Sequence, residues 1–309
     1  MTGRNRRLLA GGVVLAVTVA VTTPVAAVAA PADHPATRAV LDRHQAQAGP
    51  GAAVHAGDET GSWTLSSGAA KIGQNRPVTS TEHFRIGSQT KTFTAAVVLQ
   101  LVDEGRVALD APIGRYLPGV VTGYSNVAFL VLGLLVERVT GRPARDAITE
   151  RVITPLGLTH TWGTRAPADP YLPGCVGGRV GPFFFWTEGT TDTELTFWST
   201  AGAVASTLED LAAFYGALLD GRVVSAAALA EMRRTTAPDH SYGLALSRVD
   251  LTCGGEAWGH NGALPNGHCS ITLTTDDGRF ASLVTNGNVV SSRLVSIEVL
   301  DTALCEEAA

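Results

Sequence analysis

Strand-like segments stand near both ends of this chain while helical periodicity fills the middle, so one sheet has to be completed by residues some two hundred positions apart. Ala53-Val-His-Ala56 and Ser62-Trp-Thr-Leu65 flank Gly57-Asp-Glu-Thr-Gly61 and read as two N-terminal strands. Near the other end, Ser270-Ile-Thr-Leu-Thr-Thr275 and Arg279-Phe-Ala-Ser-Leu-Val284 flank Asp276-Asp-Gly278. An Asp-Gly turn between alternating apolar residues is a hairpin signal. In the middle, Val127–Val136 is apolar all round, is closed by Gly141 and Pro143, and predicts a buried helix. Ser206-Thr-Leu-Glu209 is a capping box that opens a helix stopping near Gly221, and Val224 to Arg234 reads as another. Leu294, Ile297, Leu300 and Leu304 fall on one face of a final amphipathic helix. The simplest arrangement is α+β: an antiparallel β-sheet from both chain ends flanked by terminal helices, with a helical lobe inserted within about 100–220. The site is expected where sheet and lobe meet.

Residues 1–29 are set apart from this domain, which is expected to span 30–309. Arg4, Arg6 and Arg7 precede an apolar run from Leu8 to Ala20, and Ala27-Val-Ala29 fits an export-signal cleavage site. The expectation is a secreted, extracellular protein, with an uncleaved membrane anchor as the alternative. The chain carries a formal charge of −5, which falls to −8 without those three arginines, so nucleic acid is not an expected partner. No phosphate loop or metal-ligand spacing occurs, and neither a cofactor nor a metal is expected. Outside the cytoplasm the four cysteines can oxidise, in any of three pairings.

The chemistry points to Ser88-Gln-Thr-Lys91. Gly87 marks the entry to a helix whose apolar residues recur at Phe93, Val97, Val98, Leu101 and Val102, which puts Ser88 in its first turn. Lys91, three positions on, projects from the same face and can reach the Ser88 hydroxyl, while the helix N-terminus favours a developing oxyanion. A serine hydroxyl needs a base, and an amine serves only when its pKa is lowered; a guanidinium cannot serve. Of 23 basic residues only Lys71 and Lys91 are lysines, so a lysine here reads as chosen for its chemistry. Ser-x-x-Lys alone more often marks a helix cap, and two further constellations raise its weight. Tyr124-Ser125-Asn126 leads into the apolar helix and places a phenol and an amide in a rigid loop, although an Asn N-cap is the plainer reading. Trp258-Gly-His260-Asn261-Gly262-Ala263 lies on a strand edge, where Gly262 permits close backbone approach and His260 supplies a donor or a cation.

In the order Ser-x-x-Lys, Tyr-Ser-Asn, His-x-Gly, these motifs resemble the serine penicillin-recognising enzymes, most closely the secreted D-alanyl-D-alanine carboxypeptidases of the class C β-lactamase type. The likeness runs from about Pro35 to Cys305 and includes Leu101–Asp110, Tyr116-Leu-Pro-Gly119, Trp198-Ser-Thr-Ala-Gly-Ala-Val204 and Tyr242-Gly-Leu-Ala-Leu246. It implies that Ser88 is acylated, that Lys91 and Tyr124 move protons, and that Asn126 steadies the lysine and the substrate amide. His260 would take the place of the β-lactamase lysine, with backbone amides of Ser88 and Ala263 as the oxyanion hole. Whether lysine or tyrosinate is the base stays open. The resemblance also implies a bridge between Cys253 and Cys305, closing a loop of about 52 residues and worth roughly 4 kcal/mol. Cys175 and Cys269 are left open between pairing and free thiols.

Three departures bear on function. Only 32 residues separate Lys91 from Tyr124, several dozen fewer than the pattern has, which shortens the helical lobe beside the cleft. Asn261 and Ala263 occupy positions where hydroxyls would read a substrate carboxylate, and Ser247 stands where an arginine is expected, with Arg248 adjacent. Phe183-Phe-Phe-Trp186 either lines the cleft or anchors a loop on the core. The expected activity is hydrolysis of D-alanyl peptides, β-lactams or related esters and amides, DD-carboxypeptidase-like, with cell-wall peptidoglycan as an expected partner. Trp198 and Arg248 join Asn126, Asn261, Gly262 and Ala263 as substrate-binding candidates. The alternatives are a secreted peptidoglycan- or penicillin-binding module that has lost turnover, and a defective product of a shortened gene.

Overall fold

The computed structural model describes residues 33–119, 126–162, 169–180, 183–190, 195–235, 241–287 and 293–306. The chain divides after Asp33, and the fold described is that of His34–Ala309. The expected export signal lies outside the described residues.

The helices are α1 (Pro35–Ala48), α2 (Thr90–Asp103), α3 (Asn126–Thr140), α4 (Ala144–Ile148), α5 (Leu195–Gly202), α6 (Leu208–Leu219), α7 (Ala226–Arg233) and α8 (Arg293–Glu306). The strands are β1 (Gly51–Asp58), β2 (Gly61–Gly68), β3 (Phe84–Arg85), β4 (Cys175–Val180), β5 (Phe183–Glu188), β6 (Ala205–Ser206), β7 (Ser247–Asp250), β8 (Glu256–Ala263), β9 (Cys269–Thr275) and β10 (Phe280–Thr285). Six strands form one antiparallel sheet in the order β2-β1-β10-β9-β8-β7. The N-terminal pair therefore completes the C-terminal meander through β1 against β10, with Val54 opposite Leu283. This is the α+β sheet built from both chain ends that the sequence pattern requires.

Alternation along the strands gives the sheet two apolar faces. Val54, Ile271, Leu273 and Leu283 pack with Leu41 of α1 and Leu300 and Leu304 of α8, so the terminal helices cover one face. Ala53, Trp258 and Val284 face the larger core built by α2, α6 and their neighbours. Each fully buried Leu or Val contributes roughly 1.5–3 kcal/mol. The Cys253–Cys305 disulfide, with Cα atoms 5.5 Å apart, ties the β7–β8 turn to the last turn of α8.

The chain ends are also joined by a cap. His34, the residue before α1, makes no side-chain capping hydrogen bond. Glu306 instead accepts from Ala36 N at 3.1 Å, Thr37 N at 2.9 Å and the Thr37 hydroxyl at 2.6 Å. A carboxylate at a helix N-terminus satisfies orphan donors and complements the helix dipole. Glu306→Ala is expected to lower stability by about 1 kcal/mol, read as a lower urea midpoint with an unchanged slope.

Two expectations need correction. The cap of α6 is Thr207, which accepts from Asp210 N at 3.1 Å, because Ser206 is drawn into β6 opposite Phe84. The helix α3 is buried on one face only. Phe129, Val131, Leu135 and Val136 are buried, while Val127 and Leu134 are 58% and 51% exposed. α2 and α5 pack against α3. Packed on those two helices, α3 is apolar all round in composition but not buried all round.

Candidate active site

The nucleophile position is made by a change of helix type. Gly87–Gln89 forms one 3₁₀ turn, with Gly87 at φ 53°, and runs directly into α2 at Thr90. Ser88 therefore sits just before α2. Lys91, in the first turn of α2, is 6% exposed. Its Nζ donates to Ser88 Oγ at 2.8 Å and to the Ala201 carbonyl at 2.9 Å. Burial lowers its pKa to about 8 from the ordinary lysine value of 10.5. The Phe129 ring lies 5.5 Å from Nζ, and its attraction for the cation, on the order of 0.5–1 kcal/mol, is smaller than the burial effect. At pH 7 roughly one Lys91 in ten is then neutral, a few hundred times the fraction of a solvated lysine.

β8 closes the other side. A Cβ on Gly262 would stand 1.8 Å from Ile86 O and 2.9 Å from Ser88 N, and one on Gly87 would stand 2.7 Å from Ala263 N. Both glycines are needed because two backbones touch there without side chains between them. The contact brings the amide of Ala263 beside the turn that carries the amide of Ser88. His260, 5% exposed, lies two residues back on the same face as Gly262 and opposite Thr272. Its Nδ1 faces the Asn261 carbonyl, which can only accept, so Nδ1 carries hydrogen. Its Nε2 is 2.9 Å from the Tyr242 hydroxyl, which donates to it when the ring is neutral.

The remaining sequence candidates fall into place unevenly. Tyr124 lies outside the described residues, and Asn126 is the exposed first residue of α3. Trp198 is on α5, but its side chain is outside the described set. Asn261 points to the opposite face from His260 and Gly262, in register with Ile271 of the terminal-helix core, since side chains alternate along a strand. Arg248 is engaged by Asp250 at 2.8 Å and by Glu256. Phe183 and Phe185 are exposed on β5, in a two-stranded hairpin with β4 rather than a loop. Cys175 and Cys269 are free thiols whose pKa values burial raises to about 11, so neither is a thiolate at neutral pH.

Two contributors escaped sequence reasoning. The Ala201 carbonyl has no side-chain signal, and Tyr242 stood inside a quoted motif without a role.

The family model described as Beta-lactamase matches residues 36–123 and 118–303, most of the chain. The chain belongs to the beta-lactamase family. The two matched segments meet at 118–123, where the sequence is shortened ahead of Tyr124. Among relatives, Penicillin-binding protein 4 of Amycolatopsis lactamdurans is 26% identical, covering 79% of this chain and 82% of that protein. That alignment runs over 323 positions, so the relative carries many additional residues within the matched stretch. A D-aminopeptidase of Cereibacter sphaeroides is 28% identical over 63% of this chain and 37% of its own length. Among solved structures, a D-stereospecific amidohydrolase from Streptomyces sp. superimposes with a TM-score of 0.75 at 30% identity, covering 87% of this chain and 98% of that one. D-amino acid amidase from Ochrobactrum anthropi SV3, at 24% identity and TM-score 0.75 over 89% and 97%, shares the fold.

Proposed function

We propose that this beta-lactamase family member is an exported serine acyl hydrolase acting on amides, peptides and esters of D-amino acids and on β-lactams. The observation that carries the reading is the 2.8 Å contact between Ser88 Oγ and a buried amine with a pKa of about 8. Neutral Lys91 takes the Ser88 proton as Oγ attacks the substrate carbonyl, and the oxyanion rests on the amides of Ser88 and Ala263. Collapse expels the amine or alcohol, which takes the proton back from Lys91. Water then attacks the acyl-serine, with Lys91 again as base, and releases the acid. Tyr124 is proposed as a second proton carrier, and His260, when protonated, as a cation beside the substrate whose Nε2–H donates to the Tyr242 oxygen, so that the Tyr242 hydroxyl can donate outward.

Two observations favour uncharged leaving groups over a terminal carboxylate. Arg248 is already paired with two carboxylates, and an unpaired substrate carboxylate would be poorly bound. The Streptomyces relative, similar over nearly its whole length, is an amidohydrolase. Export is supported by the N-terminal basic and apolar pattern and is consistent with the Cys253–Cys305 bond.

The test is intact-mass spectrometry with a fluorescent penicillin, beside hydrolysis of D- and L-phenylalanine amide, a chromogenic ester and a peptide ending in D-alanyl-D-alanine. The expected result is a single adduct lost in Ser88→Ala, hydrolysis of the D-amide over the L-amide, and kcat/KM on the free-carboxylate peptide at least about 10-fold below that on the amide. An adduct of equal size on Ser88→Ala, or no turnover of any of these substrates, would contradict the proposal. Tight binding of peptidoglycan fragments without turnover would favour the binding-module alternative.

A further inference from the structure

We propose that Arg85 is a positioning residue for acylation: its buried guanidinium fixes the segment 201–204 so that the Ala201 carbonyl holds Lys91 against Ser88. The inference rests on the acyl-hydrolase reading above.

Arg85 lies on β3, three residues before Ser88, and is 2% exposed. Among the described residues no carboxylate pairs with it. Nη1 donates to the Ala203 carbonyl at 2.9 Å, and Nη2 finds no acceptor among the described residues. Burial lowers its pKa to about 10, so it remains a cation at neutral pH. A buried cation without a counter-charge is unfavourable, and an apolar side chain would fill the same space at less cost. The carbonyl it grips belongs to the segment that also carries the Ala201 carbonyl on Lys91.

The segment is tied at several points to the stretch that carries the nucleophile and the amine. Ile86 N donates to Val204 O at 3.1 Å, Val204 N to Thr90 Oγ1 at 3.2 Å, and Thr94 Oγ1 to Thr200 O at 2.7 Å. Ser199, at φ 20° and ψ −118°, interrupts α5, and beyond it Ala203 N donates to Ser199 O at 3.0 Å. The side chains of Arg85, Thr90 and Thr94 and the Ile86 amide add the further ties. A neutral amine has two hydrogens and one lone pair. With one hydrogen on Ala201 O, the lone pair can accept the Ser88 proton; without that carbonyl the amine is free to swing away.

Among the described residues few other ionisable groups compete at Lys91; Tyr124, proposed above as a proton carrier, lies outside them. The Ser88 turn and α5 carry no ionisable side chain beyond the serine itself, Phe129 of α3 lies 5.5 Å from Nζ, and the adjoining strands β3 and β8 carry Arg85 and His260. A change in Lys91 behaviour on altering Arg85 is therefore readable.

The experiment compares wild type with Arg85→Met, Arg85→Lys and Thr90→Val. Acylation by fluorescent penicillin is followed from pH 6 to 10, together with kcat and KM on D-phenylalanine amide and thermal unfolding. Arg85→Met is expected to slow acylation about 10- to 100-fold, the scale of a misplacement of about 1 Å, with KM within about 2-fold. Its pH limb should move upward from about 8 as Lys91 loses its enclosed position. Arg85→Lys should recover part of the rate, and Thr90→Val should shift in the same direction as Arg85→Met. If Arg85→Met does not fold, the other two variants decide. A lower melting temperature with rate and pH limb unmoved would make Arg85 structural and overturn the proposal. An inert wild type would overturn the acyl-hydrolase reading and this inference together, whereas an active wild type with unmoved variants overturns this inference alone.

Discussion

Replacing Lys91 with methionine is expected to abolish acylation while raising the melting temperature at pH 7. The loss follows from the base: general-base catalysis contributes about 10²–10⁴-fold, and no other described side chain is placed against Ser88 Oγ to substitute for it. The gain follows from the same burial. A base whose folded pKa is depressed destabilises the fold when charged. The cost is full below the folded value of about 8, shrinks between 8 and 10.5, and is gone above the unfolded value. At about 1.36 kcal/mol per pKa unit it is on the order of 3 kcal/mol at pH 7. Methionine removes that cost but also the contact with Ala201, leaving an expected net gain of about 1–3 kcal/mol. Thermal unfolding at pH 7 and pH 10.5 checks this: the difference from wild type should be large at the lower pH and small at the higher. A destabilised Lys91→Met at pH 7 would mean the amine is not held against its solvation.

Gly262→Ala is expected to cost 10²–10³-fold in kcat, the effect of losing an oxyanion donor. The added methyl would stand 1.8 Å from Ile86 O and 2.9 Å from Ser88 N, both backbone atoms that cannot rotate aside. β8 would have to draw back from the 3₁₀ turn by about 1 Å or more, separating the Ala263 amide from that of Ser88. A lower melting temperature should accompany it. Gly61→Ala is the control, because nothing lies within 4 Å of a Cβ there. Wild-type kcat in Gly262→Ala would show that the two backbones need not touch for turnover.

Much of this could be read from the chain because its signals are local. The Ser88–Lys91 pairing follows from helical spacing, the β9–β10 hairpin from Asp276-Asp-Gly278, and the sheet from strands at both ends. The meeting of Gly87 with Gly262 joins residues 175 positions apart, and only the family resemblance suggested it. The facing of Asn261 was legible, since alternation alone puts it opposite His260 and Gly262. The Arg248 pairs depend on side chains meeting across β7 and β8, and the Ala201 contact is made by a carbonyl that every residue possesses. The exposure of Val127 and Leu134 depends on which elements pack beside α3, and no periodicity within the helix records that.

Because Lys71 and Lys91 are the only lysines, a titration of ¹³C-labelled lysine side chains by NMR resolves the central claim in one experiment. The expected result is a resonance titrating near pH 8 that is absent from Lys91→Met and is perturbed when Ser88 is acylated. A Lys91 resonance titrating near the unperturbed value of about 10.4, and indifferent to acylation, would contradict the account.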